Sequence, residues 1–175
     1  MNIGDGPLIE QRAEHLVPAP SGGTLGDYIP FYFGGLSPML LNIKTGYRGV
    51  EKRLQSEIVY LCVKFDRIKS QKLEWCFTDG HAKDKISTFF KDEKDFDKVD
   101  WGVVPLQYWK NTEEDFDRMR RKQAEFLVKD HVPAELIEAI VVYDQDAQNH
   151  VQKIVSSFGL STKVFIDQKN QFYYP

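Results

Sequence analysis

Three residues of this sequence are of types and in settings that could do chemistry: Glu125, Arg12 and His81. Glu125 lies in the segment QAEFLV, whose pattern predicts a strand that places its carboxylate on the same face as Leu127. A carboxylate that lines a cleft must be paired or hydrogen-bonded, which is a common setting for a general acid or base. The alternative for Glu125 is an exposed strand edge.

Arg12 and His81 each admit a plain interpretation beside the functional one. Arg12 lies on the short predicted helix Leu8 to His15, where it is either a surface arginine or a fixed cation that could hold a phosphate or carboxylate. His81 follows the predicted turn at Asp79 and Gly80, where many histidines are simply solvated.

A basic run precedes Glu125 and includes Arg120 and Arg121. Such a run is most often a solvated face, but beside Glu125 it could form a positive rim for a nucleic-acid backbone. The net charge of -3 argues against a wholly basic nucleic-acid coat and leaves a local basic groove open.

Several classes of protein are disfavoured by what the sequence lacks. The four histidines have no metal-ligand spacing, and Cys62 and Cys76 are expected to be buried free thiols in a reducing cytoplasm. No apolar run approaches the roughly 20 residues that cross a bilayer. Walker, GxGxxG, GxSxG, HExxH and paired CxxC motifs do not occur. We therefore expect no metal and no membrane association, and a cytoplasmic protein.

The chain is predicted to fold as an α+β protein with five or six strands. Strands are expected at residues 57–65, in QAEFLVKDHVP and at residues 139–143, and a final hairpin is expected in TKVFIDQ and QFYYP. Helices are expected around residues 86–90 and in DQDAQNHVQKIVSSFG, where Gly159 would end the helix. Three aromatic residues are expected in the core rather than as stacking platforms for bases, although one or two could serve as both: Trp101, Tyr108 and Trp109.

The segment GGTLGDYIPFYFGGLSPML, residues 22–40, combines aromatics with two diglycines and two prolines. A core strand normally avoids proline, which removes a backbone donor, and a disordered linker normally avoids aromatics. We interpret the segment as an ordered, irregular path with a functional role.

Taken in order, several motifs make the chain resemble the DarT family. They are residues 2–43, from NIGDGPLIEQR through GGTLGDYIPFYF and SPML, then EIVYLCVKF, FTDGHA, VDW, QAEFLV and the terminal FYY. DarT enzymes are toxins that transfer ADP-ribose from NAD to a thymine base in single-stranded DNA. The resemblance implies an ADP-ribosyltransferase-type fold, with a split, mixed β-sheet and flanking helices.

The resemblance also implies roles for particular residues. Glu125 and Arg12 fall on the family's catalytic glutamate and arginine, and Arg12 would also bind NAD. The family's NAD site would further include Tyr28 and Phe31. His81 and Tyr32 would contact the DNA, and the basic run described above would add Arg120 and Arg121. No metal is implied.

Partners and domain extent follow from the same resemblance. The implied partners are single-stranded DNA and a DarG-like macrodomain antitoxin, with a monomer when free. The family carries a further N-terminal segment that contacts NAD, so we expect one DarT-like domain over residues 1–175, N-terminally shortened. The alternative function is an impaired fragment that binds single-stranded DNA or the antitoxin without turnover.

Overall fold

A computed structural model describes residues 6–175. Within it the chain divides into two compact units, each assembled from two separate stretches of sequence. Unit 1 comprises residues 6–38 and 73–131, and unit 2 comprises residues 39–72 and 132–175. The prediction of a single domain over residues 1–175 stays a prediction.

Unit 1 is built on a four-stranded antiparallel sheet in the order β1-β5-β3-β4. Its strands are β1 (Tyr28–Tyr32), β3 (Trp75–Thr78), β4 (Phe89–Phe90) and β5 (Glu125–Lys129). Two helices belong to it, α1 (Gly6–Glu14) and the short α4 (Arg118–Lys122).

The two faces of the unit 1 sheet differ in chemistry. One face carries an aromatic cluster of Phe33, Trp75, Phe77, Phe96 and Phe126, with ring centroids 4.7 to 6.4 Å apart. Because strand residues alternate between faces, the neighbours of Phe126 point the other way. That second face buries a hydrophobic cluster that includes Leu25, Tyr28 and Leu127 and, at one end, Glu125.

Unit 2 has a three-stranded sheet in the order β2-β6-β7, in which β6 and β7 are parallel. Its strands are β2 (Tyr60–Val63), β6 (Ile137–Val142) and β7 (Lys163–Ile166). Its helices are α2 (Pro38–Thr45), which begins at the last residue of the first stretch of unit 1, α3 (Phe65–Ser70) and α5 (Gln145–Ser157).

Helix α5 forms as its sequence pattern predicts. The Asp144 side chain accepts a hydrogen bond from the Ala147 amide at 2.8 Å and caps the first turn. Gly159 ends the helix with a φ of 66°, which a residue without Cβ adopts without strain. The apolar face of α5 packs on the sheet through Val151 and Val155.

The α+β prediction is confirmed, and so are helices α1 and α5 and the strands around β2, β5 and β6. The number of strands in the described residues is seven, more than predicted. The predicted helix at residues 86–90 is wrong, because Phe89 and Phe90 form β4, and Phe90 stacks on Phe77 at 5.2 Å.

The predicted final hairpin is also wrong. β7 pairs in parallel with β6, and the tail after it is not a strand in the structure. Instead, the Asp167 carboxylate accepts hydrogen bonds from three tail amides, and the Gln55 side chain pairs with both backbone groups of Tyr174. Side chains therefore supply the partners that a second hairpin strand would have supplied.

Residues 22–40 are more regular than predicted, since they contain β1 with Pro30 inside it. Within residues 6–175, β1 lies at the edge of the sheet and has β5 as its single partner, so the missing amide of Pro30 disrupts no second ladder. Trp109 is buried as expected, but Trp101 is 49% and Tyr108 82% exposed, which corrects their placement in the core. Both cysteines are free; Cys76 is buried and Cys62 half-buried.

Candidate active site

An ion pair between Arg12 and Glu125 joins two parts of unit 1 that are 113 residues apart in sequence. Arg12 Nη1 donates to Glu125 Oε2 at 2.8 Å, and both side chains are largely buried. Burying two charges costs free energy, and further hydrogen bonds to the pair offset part of that cost. The other carboxylate oxygen, Oε1, accepts the Ala82 backbone amide at 2.9 Å.

Arg12 is positioned by the close docking of α1 on the turn before β1. A Cβ at Gly26 would lie 3.0 Å from the Ala13 Cα, so a larger residue there would push the helix away. The Leu25 amide donates to the His15 carbonyl at 2.9 Å, and the Val17 amide donates to the Gly23 carbonyl at 2.9 Å. These contacts fix the end of α1, one turn from the guanidinium.

Glu125 is positioned as the first residue of β5. Its backbone amide donates to Thr78 Oγ1 at 3.2 Å, and the Thr78 hydroxyl donates to the Gly80 carbonyl at 2.6 Å. Thr78 is fully buried and ends β3, so it joins the start of β5 to the turn that follows β3. These hydrogen bonds fix the position of Glu125 relative to this turn.

His81 lies on that turn, with Nδ1 3.6 Å from Glu125 Oε1. The Lys83 amide donates to Nδ1 at 3.2 Å, so Nδ1 is unprotonated and Nε2 carries the ring proton. Burial lowers the pKa of His81; Glu125 opposes this shift and Arg12 adds to it. The imidazole is therefore neutral at neutral pH, and its Nε2–H is available as a donor.

Arg12 retains unused hydrogen-bonding capacity. Its Nη2 is buried and has no hydrogen-bond partner among the described residues. Leaving a buried charged donor unsatisfied is costly unless a ligand takes it up. Arg12 therefore fits an anionic or carbonyl group bound beside Glu125.

The sheet register brings one predicted aromatic to this site. Tyr32 lies directly opposite Glu125 across β1 and β5, so the two side chains share a face. Phe31 pairs with Phe126 on the opposite face. Tyr28 is four residues from Tyr32, about 13 Å along the strand, and its hydroxyl donates to the Gly22 carbonyl. Neither Tyr28 nor Phe31 is brought beside the carboxylate.

Arg120 and Arg121 lie on α4 and are paired with carboxylates. Arg120 donates to both oxygens of Asp117 at 2.8 and 2.7 Å, and Arg121 donates to both oxygens of Asp115 at 3.1 and 2.9 Å. Hydrogen bonding to these carboxylates raises the pKa of both arginines. Their charge is thus largely balanced within unit 1.

Sequence reasoning missed the groups that surround Glu125. The Ala82 amide leaves no trace in a sequence, because any residue supplies one. Thr78 offered only a weak signal, a hydroxyl residue at a strand end.

In residues 6–175 no cluster of three or more His, Cys, Asp or Glu side chains could hold a metal ion. None of the helices in that range is long and apolar enough to cross a membrane.

Comparison with known proteins decides the family. A family model described as ssDNA thymidine ADP-ribosyltransferase, DarT, matches residues 1–174. The chain belongs to the DarT family. It is 33% identical over 164 residues to a DNA ADP-ribosyl transferase of Escherichia coli O127:H6 (strain E2348/69 / EPEC), covering 94% of this chain and 75% of that protein.

Solved structures agree with the family assignment. Thermus sp. 2.9 DarT in complex with ADP-ribosylated ssDNA superposes with a TM-score of 0.90 at 32% identity, covering 99% of this chain and 81% of that chain. The same protein in complex with NAD+ gives a TM-score of 0.84 at 34% identity, covering 93% and 81%. The prediction of a DarT-type ADP-ribosyltransferase fold is therefore confirmed.

Proposed function

We propose that this chain transfers ADP-ribose from NAD to thymine in single-stranded DNA, with Glu125 as the catalytic carboxylate and Arg12 as the residue that binds NAD and the base. The observation that carries the proposal is the buried Arg12–Glu125 pair of 2.8 Å beside a neutral His81. Membership of the DarT family supplies the reaction class.

The reaction requires a carboxylate where the thymine ring nitrogen loses its proton. The bond between the nicotinamide nitrogen and the ribose C1 breaks, and its electron pair leaves with nicotinamide, which departs as a neutral molecule. A bond forms between that carbon and the ring nitrogen of thymine, whose proton passes to the Glu125 carboxylate. Each carboxylate oxygen accepts one hydrogen bond in the structure, so lone pairs remain for this proton or for a ribose hydroxyl.

Arg12 and His81 suit the other requirements of the step. The buried Nη2 of Arg12 can donate to a phosphate or to a thymine carbonyl, and its charge favours loss of the thymine proton. His81, protonated at Nε2, can donate a second hydrogen bond to the same base. Together they would hold NAD and base in line, which contributes much of the rate in such reactions.

Contacts with the DNA strand are supported to different degrees. Tyr32 and His81 lie near Glu125, so we assign them to the target nucleotide. Roles for Arg120 and Arg121 in DNA binding stay predictions, as do roles for Tyr28 and Phe31 in NAD binding. Two further rings, Tyr108 and Phe116, are 82% and 77% exposed and offer stacking surfaces for unpaired bases.

A mass measurement tests the catalytic assignment. The protein is incubated with NAD and a thymine-containing oligonucleotide, and with an oligonucleotide of equal length in which cytosine replaces thymine. An adduct with the mass of ADP-ribose is expected only with thymine, and Glu125→Gln is expected to slow its formation by about 10²- to 10⁴-fold. Glu125→Gln keeps the size of the side chain and removes its ability to take a proton.

Glu74→Gln is the matched control, since Glu74 is an exposed carboxylate of the same unit, paired with Lys91 and Lys129. It should leave the rate unchanged. Equal rates for wild type and Glu125→Gln would refute the assignment. Oligonucleotide binding without any adduct in the wild type would instead favour the binding-only fragment.

Partner and location extend the proposal. We assign the chain as the toxin of a toxin–antitoxin pair, with a DarG-like macrodomain protein as partner, monomeric when free and cytoplasmic, where NAD and single-stranded DNA meet. The free thiols of Cys62 and Cys76 suit a reducing compartment. Co-purification with a macrodomain protein from a neighbouring reading frame, and light scattering of the free chain, would check partner and oligomeric state.

A further inference from the structure

We infer that Arg120 and Asp79 form a clamp that positions the Ala82 amide and the His81 ring beside Glu125. Arg120 then acts on the reaction through this clamp rather than by binding DNA. We call this pair the Asp79–Arg120 clamp. The inference rests on the proposed function, because it assigns Arg120 and Asp79 as positioning residues for the same carboxylate.

The clamp holds the turn of residues 79–88 from one side. Arg120 Nη1 donates to Asp79 Oδ1 at 3.0 Å and to Ser87 Oγ at 3.1 Å. Asp79 Oδ1 also accepts the Thr88 amide at 2.9 Å, and Ser87 Oγ donates to the His81 carbonyl at 2.8 Å. One guanidinium nitrogen therefore fixes both ends of the turn.

The backbone of Arg120 holds the middle of the same turn. Its carbonyl accepts the His81 amide at 3.0 Å, immediately before the residue whose amide binds Glu125 Oε1. A Cβ at Gly80 would lie 2.3 Å from Arg120 Nη1 and 2.8 Å from its Cγ, so the turn is packed directly on the arginine side chain. Only a glycine permits this approach.

The orientation of Arg120 is itself fixed. Asp117 binds its Nε and Nη2 in a two-point fork at 2.8 and 2.7 Å, and the side chain is 11% exposed. A guanidinium with Asp117 on one edge and Asp79 with Ser87 on the other has little capacity left for a phosphate. This arrangement favours a positioning role over a DNA contact.

Replacement of the clamp residues distinguishes the two roles. Arg120→Met and Asp79→Ala are each expected to lower kcat by about 10- to 100-fold, as a displacement near one ångström does, with smaller changes in KM for the oligonucleotide. The double variant should be little worse than either single variant, because the two act as one unit. Arg67→Met, in unit 2, removes the same charge as a control.

A DNA contact predicts a different pattern. Arg120→Met would then raise KM for the oligonucleotide and flatten its salt dependence, with kcat unchanged. Asp79→Ala, which removes a negative charge, would have no effect or tighten DNA binding. That combination would overturn the inference. Gly80→Ala removes no charge or polar group, so its expected loss of kcat cannot come from DNA electrostatics.

The histidine provides a readout that needs no turnover. His81 owes its lowered pKa chiefly to burial in this turn. Loosening the clamp should expose the ring and raise its pKa, observed by NMR titration with the resonance assigned by His81→Gln. An unshifted resonance in Arg120→Met and Asp79→Ala, with native thermal unfolding, would contradict the clamp. The titration remains informative even if Glu125→Gln keeps full activity, which would refute only the proposed function.

Discussion

Unit 1 and unit 2 are each built on one β-sheet, yet they bury different kinds of residue. Of the buried polar or charged residues in the described chain, five lie in unit 1 and one, Gln55, in unit 2. Those of unit 1 are Ser21, Ser37, Thr78, Lys122 and Glu125.

Buried polar groups cost free energy unless they are paired, so a fold concentrates them where chemistry requires them. In unit 1, the aromatic cluster on the face of the sheet opposite Glu125 contributes hydrophobic stabilisation that offsets this cost. In unit 2, α5 packs on an apolar face made of Ile140, Val142 and Val164. Because the buried Arg12–Glu125 pair lies in unit 1, we expect the reaction to depend on unit 1 and the core of unit 2 to contribute to stability.

The largest expected effect concerns the aromatic face of unit 1. Phe77 is fully buried at the centre of the cluster, so Phe77→Ala should lower the free energy of unfolding by about 3 to 5 kcal/mol. Phe158, 76% exposed in unit 2, is the matched control, and Phe158→Ala should change it by less than about 0.5 kcal/mol. Urea unfolding measures both. Similar losses for the two variants would show that the aromatic face of unit 1 contributes no more to stability than an exposed ring of unit 2.

The buried amide of unit 2 gives the next effect. Gln55 donates to the Tyr174 carbonyl at 2.7 Å and accepts its amide at 2.9 Å. Gln55→Met removes both of these buried hydrogen bonds, so the free energy of unfolding should fall by about 1 to 3 kcal/mol. ADP-ribose transfer per folded molecule should not change. A tenfold loss of kcat in Gln55→Met at a temperature where it is fully folded would show that unit 2 contributes to the chemistry.

The buried ammonium of unit 1 predicts a dependence of stability on pH. Lys122 donates to the carbonyls of Val104 and Gly35, and burial lowers its pKa to about 8. The unfolded chain holds this proton up to about pH 10.4, so between these values it binds more protons than the native state. The contribution of Lys122 to stability therefore rises with pH across that window.

We expect the free energy of unfolding of wild type, relative to Lys122→Met, to increase by about 1.4 kcal/mol between about pH 7 and about pH 9. Taking the difference between the two proteins cancels the other titrating groups. Lys153→Met, at an exposed position of α5, removes an equal charge and is the control for the substitution itself. A difference for Lys122→Met that stays constant with pH would show that Lys122 is not a costly buried charge.

The smallest expected effect concerns the N-terminal capping of helix α5 in unit 2. Asp144→Ala removes the N-cap of α5 and should cost about 1 kcal/mol. Asp146→Ala removes an equal charge from the first turn without removing the cap, so a loss of only a few tenths of a kcal/mol is expected. Thermal unfolding compares the two. Equal losses would indicate a general charge effect rather than capping.

Local patterns in the sequence were sufficient to predict much of both units. The apolar spacing, acidic start and terminal glycine of α5 are all local features, so the helix was predicted within two residues. Strands β2, β5 and β6 followed from runs of β-branched and aromatic residues. The motifs around Arg12 and Glu125 indicated the family and its reaction before any geometry was known.

Only the tertiary structure brought Arg12 against Glu125, paired the Ala82 amide with that carboxylate and turned Arg120 inward onto Asp79. These contacts join residues separated by 41 to 113 positions, and no local pattern records which side chain a distant segment will meet. Strand β4 and the path of the C-terminal tail were not predicted for the same reason, because both are stabilised by partners that are remote in sequence. The sequence by itself determined helices α1 and α5, strands β2, β5 and β6 and the reactive residue types. Long-range packing decided which of those residues share a site.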